Sequence, residues 1–538
     1  MKKTKKVGTK KTQETAVEVY DTTLRDGSQG EGISYSVSDK TRITEKLDWL
    51  GVKYIEAGWP GSNPKDMEFF RIAKKMKLKN AQIVAFGSTR RANTKPSEDA
   101  NLKALVSAGT DVITIFGKSW DMQVTDVLKT TLEENLNMIE SSIVFLKKHA
   151  GEVIYDAEHF FDAYKANPEY AIKTLQAAER AGASTLVLCD TNGGTLPSQV
   201  FDIVSVVRRR VSKPLGIHTH NDCSMGVANA VAAVQAGARQ VQGTINGIGE
   251  RCGNPDLISI IPNLQLKLGF RLLPDENMKR LTDAARFIGE VGNMVLQDNQ
   301  PYVGKSAFAH KGGVHINAVL KNPLSYEHIH PETVGNKRRF LTSELMGKTN
   351  ITEKAKALGF HLSKTDSRIA DILRTIQKLE NEGYQFESAE ASFELLIYKA
   401  MKKHRKFFDL TDFRVHVESD DKGSVSTEAT IRLKVGDKEQ HSVARGDGPV
   451  NALDNGLRKA LIPFYPQLKH MHLSDYKVRV VNQKAGTAAK VRTFIESRDE
   501  HAVWTTVGVS ENIIEASWIA LVDSIEYKLL NDTLRSKR

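Results

Sequence analysis

Three polar clusters in this 538-residue chain bring together residue types that can do chemistry. In Gly216–Ile–His218–Thr–His220–Asn–Asp222, two histidines stand two apart at the end of an apolar run. Side chains two apart on a strand share a face, so both imidazoles would point the same way and could grip one ion. A pair of buried, hydrogen-bonded histidines is the plainer alternative. Asp21–Thr–Thr–Leu–Arg–Asp–Gly–Ser–Gln29 sets the guanidinium of Arg25 beside the carboxylate of Asp26 in a polar turn, where a loop ion pair is equally natural. Asn246–Gly–Ile–Gly–Glu–Arg–Cys–Gly–Asn254 is rich in glycine, which lets backbone approach a ligand closely, and Asn254 could reach a metal or its water. Cys252 in this loop reads as a small buried thiol rather than a nucleophile or ligand. Together Asp26, His218 and His220 form a two-histidine, one-carboxylate set that leaves positions open for water and substrate. Such a set suits Mg²⁺, Mn²⁺, Zn²⁺ or Fe²⁺, and serves Lewis-acid catalysis or non-haem iron oxygenation equally.

The elements that must position these clusters are legible in the spacing. From about residue 16 to 273, short β-rich runs alternate with helical patterns. The runs are Val17–Asp21, Tyr54–Gly58, Gln82–Phe86, Val112–Phe116, Val153–Glu158, Leu186–Asp190, Leu215–His220 and Gln240–Ile245. Most are nearly continuous in apolar or β-branched residues, as strands covered on both faces are. Helical segments often end in glycine, as in Leu47–Asp–Trp–Leu–Gly51 and Ala178–Glu–Arg–Ala–Gly182. Eight strands in about 250 residues, each followed by a helix, predict an α/β fold of the (β/α)8 barrel type. A doubly wound open sheet is disfavoured because no G-x-G-x-x-G turn follows the first run. All three polar clusters then fall at strand ends, where barrel enzymes carry their active sites.

Residues 274–388 read as a mostly helical linker region, broken by a glycine- and histidine-rich stretch at Lys305–Asn317. Residues 389–538 change style. Runs at Phe413–Val417, Thr430–Val435 and Glu439–Ala444 precede a helix at Asp447–Leu461. The pattern recurs at Tyr476–Val481, Lys490–Ser497, Ala502–Val509 and Glu511–Leu530. The helix starts Gly448–Pro–Val–Asn–Ala452 and Asn512–Ile–Ile–Glu–Ala516 align 64 residues apart, which predicts an α+β domain of duplicated βββα units.

Bulk properties narrow the function classes. The chain is 40% hydrophobic and 26% charged, with mean hydropathy −0.36, and has no apolar run near the roughly 20 residues that cross a bilayer. Three cysteines in such a length suggest a reducing compartment, and a cytoplasmic enzyme is expected. Of the formal net charge of +11, six lysines lie in the first eleven residues, so residues 1–15 read as a solvated basic tail. No nucleic-acid-binding motif accompanies it. The remaining positive charge suits an anionic substrate such as a CoA ester.

The T-L-R-D-G-x-Q, H-x-H-N-D and N-G-x-G-E-R-x-G-N patterns, in that order at strand ends, resemble those of the acyl-transferring aldol synthases. That family includes 2-isopropylmalate, homocitrate and citramalate synthases. Gly58–Trp–Pro–Gly–Ser–Asn–Pro–Lys65, Ala85–Phe–Gly–Ser–Thr–Arg–Arg91, Phe116–Gly–Lys–Ser–Trp–Asp121 and Tyr155–Asp–Ala–Glu–His–Phe–Phe–Asp162 are similar to strings of its citramalate branch. The C-terminal duplicated region resembles the family's amino-acid-sensing regulatory domain. The resemblance implies an acyltransferase that condenses pyruvate with acetyl-CoA and hydrolyses the thioester, in a threonine-independent route to isoleucine. The alternative is a 2-isopropylmalate synthase acting on 2-oxoisovalerate, with leucine as effector. A lyase of the 3-hydroxy-3-methylglutaryl-CoA type is disfavoured, because its cysteine loop is not matched by Ile248–Gly–Glu–Arg–Cys–Gly–Asn254.

The same resemblance implies site roles. Asp26, His218 and His220, with Asn254 nearby, would hold a divalent metal such as Mn²⁺, Mg²⁺, Zn²⁺ or Co²⁺. Arg25 would stabilise charge on the pyruvate oxygen, and Thr191 would bond its carboxylate. Phe86 and Phe116 would bound a small pocket, unless both are ordinary barrel core. His315 would abstract the acetyl proton as general base, tuned by Glu158 and Tyr326, the eleven-residue interval from His315 to Tyr326 matching homocitrate synthases, with His310 a neighbouring candidate base. A homodimer is implied, in which the His315 segment reaches a partner's site, together with isoleucine or leucine at the C-terminal domain.

Overall fold

A computed structural model describes residues 15–340, 348–363, 365–419, 421, 423–481 and 489–535. The basic tail, apart from Thr15, lies outside the described residues. Two compact units divide the rest: one runs to Phe308 and includes Ile329–Lys337, and the other comprises Ala309–His328 and everything from Arg338.

In the first unit, eight parallel strands close into a barrel in sequence order. They are β1 (Glu18–Asp21), β2 (Tyr54–Gly58), β3 (Gln82–Ser88), β4 (Val112–Lys118), β5 (Glu152–Glu158), β6 (Thr185–Asp190), β7 (Leu215–Thr219) and β8 (Gln240–Gly243). Closure is made by β1 on β8, with Tyr20 opposite Gln242. The strands are covered on both faces, and β2, β6, β7 and β8 are buried throughout. Inside, Tyr20, Tyr54, Val84, Val112, Ile154, Val187 and Cys189 form an apolar plug. Outside, a larger core packs the strands against the helices. Strand β8 stops at Gly243, two residues short of the expected end. There Thr244 N turns to bond Pro255 O, and Ile245–Gly247 forms a short 3-10 turn.

The helices begin and end where capping chemistry places them. Ser36 and Asp39 form a reciprocal capping box ahead of Val37–Leu50, and Gly51 ends that helix in the left-handed conformation at φ 99°. Among the described residues no helix is long and apolar enough to cross a membrane.

In the second unit, the two-residue strands β9 (Ala309–His310) and β10 (Arg339–Phe340) pair in parallel. The stretch expected to interrupt the helices contains the start of one, Gly313–Lys321. Two antiparallel sheets follow: β11 (Asp409–Ser419), β12 (Val425–Val435) and β13 (Lys438–Gly446), then β14 (His472–Val480), β15 (Val491–Arg498) and β16 (Val503–Ser510). Each precedes a helix, Pro449–Leu461 and Ile513–Arg535. The duplication extends to an irregularity: the first pair of each sheet shifts register at Leu410/Asp412 and again at Leu473/Asp475.

Candidate active site

Barrel closure brings the ends of β1, β7 and β8 together. Asp26 Oδ2 lies 3.3 Å from His218 Nε2, and His218 Nε2 lies 3.4 Å from His220 Nε2. One donor atom from each of the three residues falls within 4.8 Å of the others, and all three residues are buried. Among the described residues this is the one His/Cys/Asp/Glu group arranged to hold a metal ion.

The surroundings set the ligand state. His218 Nδ1 donates to Gln242 Oε1 at 2.9 Å, and Gln242 Nε2 donates to Asp156 Oδ1 at 3.2 Å. This relay holds a proton on Nδ1 and aims Nε2 at Asp26 and His220. Burial pushes the Asp26 carboxyl up, but Arg25 and His218 outweigh it and hold it well below the usual carboxylate range. Burial and the neighbouring His218 push His220 down to about 4, so it is neutral at pH 7. For His218 burial works downward and Asp26 reverses it, giving a net rise. Two buried atoms, His220 Nδ1 and Asn254 Oδ1, have no hydrogen-bond partner among the described residues. A donor set of one anion and two imidazoles, with unmet polar atoms nearby, fits a divalent cation that keeps water or substrate ligands.

Arg25 is tethered rather than loose. Its Nε donates to Glu56 Oε1 at 2.6 Å, and Glu56 is wholly buried. The Tyr20 hydroxyl donates to the other Glu56 oxygen at 2.6 Å. Arg25 Nη1 lies 3.4 Å from Asp26 Oδ1, and the guanidinium carbon sits 3.7 Å over the Phe86 ring. Burial, with Glu56 close by, pushes Asp156 up to about 7.

Above these groups opens a cavity of about 220 Å³. Phe86 and Phe116 form one wall, stacked at 5.6 Å and 21°. Glu158 stands at the end of β5 in an ion pair with Lys118. Thr191 Oγ1 accepts from His159 N at 2.8 Å, which leaves the hydroxyl proton to donate elsewhere. Arg251 clasps Asp222 through Nε at 2.8 Å and Nη2 at 3.0 Å, and also bonds Thr191 O at 2.7 Å. One side chain thereby ties together the loops after β6, β7 and β8. Cys252 is exposed, not buried as expected, because its glycine-rich loop lies at the surface.

In the second unit, His315 and Tyr326 stack at 4.3 Å and 29°. His310 Nε2 lies 3.1 Å from Glu327 Oε1, and Arg338 grips the same carboxylate with two bonds of 2.6 Å.

Glu56, Asp156, Gln242, Trp59 and Lys118 were not singled out from sequence as site residues. A signal existed for two of them: Glu56 is the one charge within Tyr54–Gly58, and Gln242 repeats the polar side chain of Gln240 on one face of β8. Nothing in the sequence tells which neighbours they meet.

The class of protein follows from this barrel and its companion domain. Residues 16–288 match the HMGL-like family, 302–384 the homocitrate synthase post-HMGL domain-like family, and 387–529 the LeuA allosteric (dimerisation) domain. The chain is 58% identical over 518 residues to an (R)-citramalate synthase of Aquifex aeolicus, covering 96% of this chain and 98% of that one. It is 56% identical over 515 residues to the (R)-citramalate synthase of Geobacter sulfurreducens, covering 95% and 97%. A 2-isopropylmalate synthase of Methanocaldococcus jannaschii is more distant, 31% identical over 513 residues, covering 95% and 94%. The chain belongs to the (R)-citramalate synthase family.

Proposed function

We propose that the protein condenses pyruvate with acetyl-CoA and hydrolyses the resulting thioester, releasing (R)-citramalate and CoA. The observation that carries this reading is the buried Asp26–His218–His220 cluster beneath a small, aromatic-walled cavity, in a chain similar over nearly its whole length to (R)-citramalate synthases.

In this reading Asp26, His218 and His220 hold a divalent cation (Mn²⁺, Mg²⁺, Zn²⁺ or Co²⁺), with Asn254 beside it or its water. Bound there, the cation supplies Lewis-acid polarisation of the 2-oxo carbonyl. Thr191, whose oxygen already accepts from His159, donates its proton to the pyruvate carboxylate. Arg25, held at Nε by Glu56, turns its remaining N–H groups to the carbonyl oxygen and stabilises the charge that develops there. The His315 imidazole takes a proton from the acetyl methyl group, with Tyr326 stacked on it and Glu158 tuning the step. The methyl carbon bonds to C2 of pyruvate, and the C2 oxygen is protonated. Water then cleaves the thioester, CoA leaving as the thiol. His315 and Tyr326 come from the second subunit of a homodimer, consistent with the allosteric (dimerisation) domain at 387–529. That domain takes isoleucine as its effector, with leucine the alternative.

The test is thiol release from acetyl-CoA over a panel of 2-oxo acids with Mn²⁺ or Mg²⁺ present. Pyruvate should give the highest kcat/KM. A preference of about tenfold or more for 2-oxoisovalerate, about 1.4 kcal/mol, would overturn the reading in favour of a 2-isopropylmalate synthase.

A further inference from the structure

We propose that Trp59 sets the size of the 2-oxo acid this site accepts, by bracing the Phe86–Phe116 pair edge-on. The inference rests on the reading above, in which the 2-oxo acid occupies the barrel-mouth cavity. Trp59 is the first residue after β2 and lines that cavity beside the two phenylalanines. Its indole meets Phe86 at 5.9 Å and 88°, and Phe116 at 5.6 Å and 83°. Two parallel rings with a third standing across their edges form a compact block, with aromatic geometry favourable at every contact.

The block is anchored from outside the cavity. Trp59 N donates to Asp66 Oδ2 at 2.9 Å. Asp66 is buried and fixed in turn by Lys40 Nζ at 2.6 Å, which also bonds Ala57 O at 2.7 Å. At the other end the indole Nε1 donates to Asn101 Oδ1 at 2.7 Å, while Asn101 Nδ2 donates to Ser88 O at 2.7 Å. Asn101 belongs to the first turn of helix Ala100–Ala108 and does not line the cavity.

Room for both anchors depends on missing side chains. A Cβ on Gly58 would come within 2.4 Å of Asp66 Oδ2, and one on Gly87 would come within 3.0 Å of Asn101 Oδ1 and 2.9 Å of Leu105 Cδ1. The strings Gly58–Trp59 and Phe86–Gly87 therefore code for a wall and for the space its anchors need. A phenyl pair held only by packing could swing aside for a longer substrate chain. Braced by a tryptophan held at its indole Nε1 by Asn101 and at its backbone N by Asp66, it yields only if those bonds break.

Trp59→Leu and Asn101→Leu test this in the full-length enzyme loaded with Mn²⁺. The readout is kcat/KM for pyruvate, 2-oxobutanoate and 2-oxoisovalerate, with Mn²⁺ affinity measured alongside. Trp59→Leu should raise the 2-oxobutanoate-to-pyruvate ratio by about tenfold or more, the scale of one methylene in an apolar pocket. Asn101→Leu should shift the same ratio in the same direction by about threefold, leaving Mn²⁺ affinity unchanged. Ratios within about twofold of wild type, or an equal loss on all three acids, would overturn the proposal. Should Trp59→Leu fail to fold, Asn101→Leu decides alone. Should the wild-type enzyme not turn over pyruvate, the functional reading falls and takes this inference with it; active wild type with unmoved ratios removes the inference alone.

Discussion

The barrel mouth and the C-terminal sheets place polar groups by opposite means. At the barrel mouth, partners far apart in sequence are drawn into a dry interior: Arg25 to Glu56, Tyr20 to Thr114, Gln242 to Asp156. In the C-terminal domain, strands pair with their immediate neighbours in sequence as two three-stranded meanders. There β12 alternates buried and exposed positions, whereas β6 is buried at every residue. A one-faced sheet keeps its polar side chains in water, so its register is written in a local alternation. A closed barrel with helices around it has no wet face, so every inward polar group needs a partner from another strand.

The largest effect expected is on activity alone. Arg25→Ala should cost about 10²–10³-fold in kcat, the scale of losing one preorganised oxyanion donor. Unfolding of the C-terminal domain, followed by hydrogen exchange, should be unaffected. Loss of both together would break the contrast between the two regions.

The converse perturbation is Lys528→Met. Lys528 is buried between Asp499 at 2.6 Å and Asp532 at 2.9 Å. Removing one member of such a cluster leaves carboxylates unpaired and should destabilise the C-terminal domain by about 3 kcal/mol. Denaturant unfolding should register this, while kcat for pyruvate stays at the wild-type value.

A smaller effect separates holding a metal from positioning its ligand. Gln242→Leu removes the acceptor that keeps the His218 proton on Nδ1. Mn²⁺ affinity, measured by titration calorimetry, should fall by about 10–100-fold without loss of fold. Unchanged affinity would mean that the relay through Gln242 and Asp156 does not orient His218.

The smallest effect is a difference in pH slope between the regions. Burial pushes Asp21 up to about 7 against the hydrogen bonds from Thr23. A carboxyl whose folded value lies above its unfolded value of about 4 contributes stability in full below pH 4, and loses it as pH rises to 7. Asp499 goes the other way: burial raises it, but Lys528 and two backbone amides hold it below its ordinary value. Its contribution is present above about pH 4 and is lost below that. Asp21→Asn should therefore flatten the pH 4–7 dependence of barrel unfolding and leave that of the C-terminal domain unmoved. An unchanged slope in the barrel would show that Asp21 is ionised throughout.

Local pattern carried much of this molecule. Eight apolar runs of parallel-strand type, glycine stops such as Gly51 and the 64-residue recurrence are features of neighbouring residues, and they specify the barrel and the duplicated domain. The metal-binding candidates were equally visible, because His218 and His220 are two apart on one strand and Asp26 closes a distinctive turn. Other features had no local signal. Cys252 was expected to be buried as a small thiol, and only the path of its loop shows it exposed. Glu56, Asp156 and Gln242 read as isolated polar residues in apolar strands until closure sets Tyr20 opposite Gln242 and makes them neighbours.

The sequence by itself determined the order and type of the elements and the strand ends at which Arg25, Asp26, His218 and His220 gather as candidates for chemistry. Each of these follows from side-chain period and residue type over a few residues. Only the tertiary structure decided that Glu56 tethers Arg25, that Gln242 orients His218, and that Trp59 stands across Phe86 and Phe116. Those contacts join residues from 24 (His218 to Gln242) to 57 (Trp59 to Phe116) positions apart in the chain, each pair from different strands or strand ends. They exist because a closed sheet turns every second side chain into one shared interior, where each polar group must find its partner or remain unsatisfied.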